Sequence, residues 1–488
     1  MYFALRRHVL LLPHAPRSLS HSDQRWRARS LRESALAFSG AELATTPKRA
    51  RSRLATTMAT VYRTTLASLP VATLREVLLR LPVDERARAA AVCRTWRDLL
   101  SDCSLWTRLD LSEAGGVAFT RVTDAMLRGA VAKAGGGLTA LSVGLLHQQL
   151  THDALVDVCA ANSGALTELR GSFMVSVAHV EALLRAAPLL RECHVAVFTS
   201  GYMASRLLRN EPPFRPLRIA GLMVEPPWPD DEAAMQTFTA DWRASATQVS
   251  HLCLHMAPRL GHGVFDALVD VALERRLETI ELIQLQSSIP ITSLFRLLAS
   301  KSLTVLNISG HVDTRTLSVS GLQSSVALLA AAVRANDALF AVYLEATGIL
   351  GDASVAETLI SALSSHPSLA HLCICEDPVA VADRARIGAS LGVLVSANSP
   401  HLRGLDLSGC DLDDEGLDPL VDALQFNTHL VELSCFGNNV SEAFALHRLR
   451  PAILANTGLK ALTLVGPFDD EDAPVLQLLE QLVQARVR

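Results

Sequence analysis

The stretch that decides the fold is His401–His429, which reads HLRGLDLSGCDLDDEGLDPLVDALQFNTH. Its beginning has the pattern apolar-x-x-apolar-x-apolar, at Leu402, Leu405 and Leu407. Such a pattern is typical of a short strand whose alternate side chains point into a core. Apolar residues then recur at helical spacing across Leu417–Leu424. The stretch therefore predicts one strand–turn–helix unit.

The six-residue pattern returns at intervals of mostly about 24–33 residues, which indicates an array of stacked units. Weaker copies begin at Leu166 and Leu217. The other copies begin at Trp106, Leu138, Leu190, Val249, Leu277, Leu303, Leu339, Leu369, Leu402, Leu430 and Leu459. One unit cannot bury its apolar face alone, whereas stacked units share a continuous core.

The repeat resembles a leucine-rich repeat, and the later copies resemble the ribonuclease-inhibitor class. Cys410 stands at the turn position that the family gives to Asn or Cys. The resemblance implies an α/β fold, a solenoid with parallel strands on a concave face and helices on a convex face. We assign residues 106–488 to this domain, with about twelve repeats.

A second pattern precedes the array: residues 69–111 read LPVATLREVLLRLPVDERARAAAVCRTWRDLLSDCSLWTRLDL. Its apolar spacing predicts about three short helices. Pro82 is expected to end the first helix, and Asp84 is expected to cap the second. Forty residues are too few for a large core, so the segment is expected to lean on a neighbour.

This segment resembles an F-box, which we place at residues 64–112. In that family the module docks on the Skp adaptor of a cullin–RING ubiquitin ligase, and the rest of the chain captures the substrate. The alternative is a plain helical hairpin that caps the array. The residues that the resemblance assigns to adaptor contact, or to holding the hairpin together, are Leu69, Pro70, Leu74, Leu81, Pro82, Val92, Trp96 and Trp106.

Charge is distributed unevenly along the chain. Residues 1–60 hold 11 Lys/Arg and 3 Asp/Glu, a net of +8, so the remainder of a chain of net charge −4 carries −12. A basic, acid-poor segment of this kind predicts a disordered leader. It also fits a transit peptide, a nuclear import patch at Pro47–Arg53, or an upstream start before Met58. A ligase adaptor belongs in the cytoplasm or nucleus, which favours the plain leader.

Several functional classes find no support in the sequence. The acidic body argues against nucleic acid as the main ligand, and no apolar run reaches the length of a membrane span. The nine cysteines form no CxxC pair, which is typical of a reducing compartment. We find no catalytic or phosphate-binding motif and assign no cofactor. His251-x-Cys253-x-His255 and His371-x-Cys373-x-Cys375 are four repeats apart, so we assign no metal.

Strand alternation predicts which side chains point to the concave face. Because these residues mix charge with aromatic rings, they suit a protein partner. Their acidic share in the later repeats favours a basic partner. The candidate substrate-binding residues are His251, His255, Glu281, Tyr343, Glu345, His371, Asp406, Glu432 and Phe436. Others on this face are Glu168, Arg170, Glu192, His194 and Asn307.

A proline-rich stretch, Glu211–Asp231, interrupts the repeat rhythm. Its prolines predict an irregular insertion, and Phe214 and Trp228 look exposed. Such a loop either binds a partner or is a degenerate repeat.

The resemblance to an F-box and to leucine-rich repeats implies the substrate-recognition subunit of an SCF-type ubiquitin ligase, which is not itself an enzyme. The protein substrate is unknown. The alternative is a leucine-rich-repeat scaffold or regulator without a ligase role. A third reading, a GTPase-activating repeat protein, needs a loop near the start of the array that we do not find.

Overall fold

The computed structural model describes residues 69–112, 122–144, 150–225, 232–255, 260–285, 288–313, 327, 330–364, 366–465 and 474–486. Within these residues the main sheet has thirteen strands, all parallel, in chain order. They are β1 Arg108–Leu111, β2 Ala140–Val143, β3 Glu168–Ser176, β4 Glu192–Ser200, β5 Arg218–Glu225, β6 Gln248–His255, β7 Thr279–Ile283, β9 Val305–Ser309, β11 Ala341–Glu345, β12 His371–Cys375, β13 Gly404–Asp406, β14 Glu432–Ser434 and β15 Ala461–Thr463. A separate pair joins β8 Ile289–Pro290 to β10 Val312–Asp313.

Helices alternate with these strands. They are α1 Val71–Arg80, α2 Val83–Ala89, α3 Arg94–Leu100, α4 Asp124–Ala132, α5 His152–Ala161, α6 Val177–Ala186, α7 Gly201–Leu208, α8 Glu232–Ala244, α9 His262–Glu274, α10 Ile291–Leu298, α11 Ala353–Leu363, α12 Arg384–Ser396, α13 Asp414–Leu424, α14 Glu442–Phe444, α15 Arg450–Ala455 and α16 Pro474–Gln484. Of the described helices, none is long and apolar enough to cross a membrane. The protein thus has the predicted α/β fold.

The core of the array lies where the sequence pattern places it. In the unit of the opening stretch, Leu402, Leu405 and Leu407 are all buried. Leu405 pairs with Leu372 of the preceding strand and Leu433 of the following strand. Such in-register rows of apolar side chains run from strand to strand, and burial of this apolar area is the main force that stabilises the array.

The strands of the main sheet are longest in its early part. β3 and β4 have nine residues each, and β5 and β6 have eight, whereas β13 to β15 have three. The strand pairing shifts register between Arg170 and Met174 and again between Cys193 and Ala196. These irregularities are typical of bulges, which re-aim the side chains that follow them.

The predicted insertion at 211–231 is wrong as one continuous loop. Arg218–Glu225 forms β5 because Leu217, Ile219 and Leu222 fill the buried repeat positions. Phe214 is buried, not exposed, with the Arg206 guanidinium 5.9 Å from its ring centre. Residues 226–231, with Trp228, lie outside the described residues.

The chain separates into two compact parts, Met1–Leu81 and Pro82–Arg488. In the first, only residues 69–81 are described, so the predicted leader lies outside the described residues. Helix α1 ends at Arg80, ahead of Pro82, as predicted. In the second part, α2 contacts both α3 and β1. This helix begins at Val83 with Pro82 in the capping position, so the predicted cap by Asp84 is wrong.

Buried asparagines join successive repeats. Asn427 follows α13, and its side-chain amide donates a 2.7 Å hydrogen bond to the Val395 carbonyl at the end of α12. Its side-chain oxygen accepts from the backbone N–H groups of His429 and Leu430. Asn336 and Asn456 make equivalent bridges. Asn162 bridges in the reverse direction, because its amide donates to Val158 of its own helix and its oxygen accepts from the Leu138 N–H of the preceding repeat. Each satisfies backbone groups that the end of a helix leaves without partners.

We expect Asn427→Ala to lower the free energy of unfolding by about 2 kcal/mol, because buried backbone groups on two repeats lose their partner. Chemical denaturation followed by circular dichroism measures this change. The matched control is Asn439→Ala, at an exposed position, with an expected change within about 0.5 kcal/mol. Equal effects of the two substitutions would contradict the bridging role.

The last helix covers the final strand. Leu479 and Val483 of α16 are buried, and the Glu480 carboxylate accepts from the backbone N–H groups of Leu464 and Val465. Arg486 donates to the carbonyl of Asn456 in the preceding repeat. This helix therefore closes the apolar end that a further repeat would otherwise cover.

Candidate functional site

Helix α1 carries exposed apolar side chains. Leu74 and Leu78 lie one turn apart and are buried, as expected for an amphipathic helix. Val71 and Leu79 are 62% and 40% exposed. These side chains leave part of the apolar surface of the helix exposed.

The predicted adaptor-binding residues differ in accessibility. Leu74 and Trp106 are buried. Pro70 and Val92 are exposed, and the remaining four have intermediate exposure: Leu69, Leu81, Pro82 and Trp96. Adaptor contact by these eight residues stays a prediction. Val71 and Leu79 were not among them, because the sequence pattern does not show which apolar positions of a short helix remain uncovered.

Trp106 links the helical segment to the first repeat. Its indole N–H donates a 2.9 Å hydrogen bond to the Leu100 carbonyl of α3. The Arg86 guanidinium of α2 lies 5.5 Å from the ring centre and donates to the Leu105 carbonyl at 2.6 Å. On the repeat side, the Lys133 ammonium lies 4.3 Å from the same ring centre. Burial lowers the pKa of Arg86, as expected where a cation is withdrawn from water.

The second surface is the face of the main sheet that points away from the core, here called the open face. A central row crosses it in register from β4 to β15. Its members, in strand order, are Phe198, Met223, Cys253, Glu281, Asn307, Tyr343, Cys373, Asp406, Ser434 and Thr463. Because parallel neighbours in register share a face, these side chains form one continuous row.

Carboxylates dominate the later part of the open face. From β6 to β15 the strands of the main sheet contain no Lys or Arg, but they contain Glu281, Glu345, Asp406 and Glu432. These four carboxylates are here called the acidic track. Earlier strands differ: Arg170 lies within ion-pair distance of Glu168 and Glu192. The sheet therefore changes from mixed charge to net negative charge near β6.

Burial and neighbouring negative charge raise the pKa of two groups on this part of the open face. Burial, and then the charge of Glu376, raise the pKa of Glu345. Burial raises the pKa of Tyr343 to about 12, with smaller contributions from Cys373, Glu281 and Glu432. These shifts are those of groups that are partly withdrawn from water beside like charges. A cation placed here would be stabilised by several carboxylates together.

Histidines line the adjacent row. His251 Nε2 lies 2.9 Å from Glu281 Oε1. His371 packs 5.6 Å from the Phe340 ring centre, and burial lowers its pKa. Gly404 on the next strand leaves room for this imidazole, because a Cβ there would stand 2.6 Å from His371 Nδ1. His251 and His371 therefore lie in the same row as Glu432, next to the row that contains Glu281 and Asp406.

The structure brings most of the predicted substrate-binding residues onto this one face. His251, His255, Glu281, Tyr343, Glu345, His371 and Asp406 are partly exposed, Glu432 is exposed, and Phe436 lies at the turn after β14. Cys253 is buried although its strand position faces outward, and burial raises the pKa of its thiol. Among the described residues, no group of three His, Cys, Asp or Glu is arranged to hold a metal. Substrate contact by the nine residues stays a prediction.

Met174 and Phe198 were missed from the sequence. They are 41% and 38% exposed on the open face. Alternation alone marks them as outward, but no sequence signal showed that β3 and β4 continue far enough to present them. The pairing Phe198–Met223 places them beside the start of the acidic track.

We expect Glu345→Gln to raise the stability at pH 7. Because the folded-state pKa lies above the unfolded value, the stability contributed by this carboxyl is full below about pH 4 and is lost as pH rises through the folded-state pKa. Glutamine is neutral at every pH, so the variant does not lose this stability as the pH rises. The expected gain is below about 1 kcal/mol at a partly exposed site, measured as the urea midpoint at pH 7, and it should vanish near pH 3.5. A gain that persists at low pH, or an equal gain in the exposed control Glu278→Gln, would contradict this cause.

Comparisons with known proteins agree with both segments. The F-box-like family model matches residues 66–112, and a Leucine Rich repeat model matches residues 398–421. The Arabidopsis thaliana protein named "Putative F-box/LRR-repeat protein 22" is 33% identical over 129 residues. That alignment covers 26% of this chain and 41% of the relative. The chain thus spans about two fifths of the relative's length.

A solved structure, the complex of Rad7 and Elc1 in yeast, aligns with 86% of this chain and 98% of its own. It has 10% sequence identity and a TM-score of 0.38. The family models locate the helical segment and the clearest repeat where the sequence placed them. The chain therefore contains an F-box-like segment at residues 66–112, ahead of leucine-rich repeats that include residues 398–421.

Proposed function

We propose that this protein is the substrate-receiving subunit of an SCF-type cullin–RING ubiquitin ligase. The F-box-like segment binds a Skp-type adaptor and through it a cullin, and the repeats bind the protein to be modified. The observation that carries the proposal is the occurrence in one chain of an F-box-like segment at 66–112 and a repeat array whose sheet, among the described residues, presents partly exposed side chains on its open face.

The chain contributes proximity in this role. Holding a target near a ubiquitin-charged enzyme converts a bimolecular encounter into a local one. Such a role needs two separate binding surfaces and no reacting group of its own. We place the assembly in the cytoplasm or nucleus, where the adaptor and cullin would meet the chain.

The test is co-expression of the tagged full chain with a Skp-type adaptor, followed by affinity purification. Val71→Glu/Leu79→Glu places charge on the exposed side of α1 and should abolish adaptor recovery, because a buried unpaired charge is costly at an interface. Val92→Glu, tested separately, should reduce it.

The matched control is Val381→Glu/Val393→Glu, at positions 73% and 60% exposed around α12. This variant should retain the adaptor as the wild type does. The proposal fails if the wild type recovers no adaptor, or if the α1 variant and the control recover equal amounts. A repeat protein with a helical cap would then remain.

A further inference from the structure

The open face carries an apolar patch and an acidic track that meet. The patch, here the Met/Phe patch, consists of Met174, Phe198 and Met223. Met174 pairs with Ala196, which lies two residues before Phe198 on the same face of β4. Large apolar side chains exposed together on a sheet face are a common feature of binding surfaces.

The acidic track begins beside this patch. In register, Phe198 is followed by Met223, Cys253 and then Glu281. At a strand spacing of about 4.8 Å, the first carboxylate stands roughly 14 Å from the phenylalanine. Glu432 on β14 lies five strands further on than Glu281. From Met174 on β3 to Glu432 on β14, patch and track together therefore extend for roughly 43 Å.

We propose that this face binds a Lys/Arg-rich segment of a partner protein that carries a large apolar side chain at one end. The apolar side chain packs on the Met/Phe patch, and the basic side chains lie along Glu281, Glu345, Asp406 and Glu432. The inference rests on the proposed role of the repeats in receiving a protein target, and it names the chemistry of that target.

Charge complementarity selects this occupant. The strands from β6 to β15 contain no lysine or arginine. The charge of Glu376 contributes to the raised pKa of Glu345, so these two carboxylates repel each other. A basic segment relieves that repulsion, whereas an acidic segment or a nucleic-acid backbone increases it. An extended chain advances about 3.3 Å per residue, so about thirteen residues cover the patch and track.

The experiment uses the full chain without an adaptor and two fluorescein-labelled peptides of about thirteen residues. Both peptides are rich in lysine and arginine. One begins with Phe-Leu, and the other ends with Phe-Leu. Fluorescence anisotropy measures their dissociation constants. A third peptide replaces every basic residue with glutamate. At least one basic peptide should bind saturably, and raising the salt should weaken it because exposed charges are screened.

Three variants assign the contact. Glu345→Gln/Glu432→Gln should weaken binding at least about tenfold, and Met174→Ala/Phe198→Ala should do the same through the apolar end. The control, Glu415→Gln/Glu442→Gln, removes the same charge from exposed positions of α13 and α14 and should leave the affinity unchanged.

The proposal is overturned if neither basic peptide binds, if the glutamate peptide binds as well, or if the control variant loses as much affinity as Glu345→Gln/Glu432→Gln. Adaptor recovery is measured in a separate experiment on other residues. A failure here with the adaptor retained would therefore reject the target chemistry and leave the ligase role intact.

Discussion

Replacing Trp106 with alanine is expected to lower the free energy of unfolding by about 3–5 kcal/mol. Trp106 is 1% exposed and is among the largest fully buried side chains of the protein. Its removal leaves a cavity, and the Leu100 carbonyl loses the indole N–H that it accepts. The Lys133 ammonium and the Arg86 guanidinium also lose the face of the ring.

The measurement is the midpoint and slope of guanidinium-induced unfolding. It is monitored by the circular dichroism of the backbone, which does not depend on tryptophan. Phe426→Ala is the control, since Phe426 is 76% exposed and its loss should change stability by no more than about 0.5 kcal/mol. Equal midpoints for Trp106→Ala and the wild type would contradict the view that this residue joins α2 and α3 to the first repeat.

Gly388→Ala is expected to destabilise the protein by about 3 kcal/mol. Helices α12 and α13 pack closely where Gly388 faces Gly416, and a Cβ on Gly388 would overlap the Gly416 carbonyl oxygen. One turn later, a Cβ on Gly392 would stand 2.9 Å from the Pro419 carbonyl oxygen. Because backbone cannot swing aside as a long side chain can, the helices must separate, and the cost lies at the high end for overpacking.

The same substitution has the opposite sign where space is open. Gly129 lies within α4, where a Cβ would have no neighbouring atom within 4 Å. Gly129→Ala should therefore raise stability by about 0.5–1 kcal/mol through helix propensity alone. Denaturation midpoints of the two variants measure both effects. A stabilising Gly388→Ala would show that the two helices do not pack at this distance.

The sequence predicted the repeats well because each strand obeys a local rule. Leu405 and Leu407 point inward in a pattern that needs no knowledge of neighbours, and the structure buries them as predicted. The family resemblance added the helical segment. Its first helix ends before Pro82 for a reason that also acts locally, since proline cannot continue a helix.

Features that depend on neighbouring repeats were not predictable in the same way. Asn427 reads as an ordinary loop residue until its amide meets the Val395 carbonyl of the preceding repeat. Phe214 lies in a proline-rich stretch, yet tertiary packing buries it. The exposure of Phe198 depends on the length of β4, and the closeness of α12 to α13 depends on which face each glycine presents. Such properties arise from tertiary context, which overrides local propensity.

The most direct test of the ligase role is the mass of the complex formed by the purified chain and a purified Skp-type adaptor, measured by light scattering during size-exclusion chromatography. The ligase role predicts a single peak whose mass is the sum of one adaptor and one chain of 52.5 kDa. The Val71→Glu/Leu79→Glu variant should elute apart from the adaptor. Two separate peaks for the wild-type chain and the adaptor, at concentrations well above the micromolar range, would contradict it.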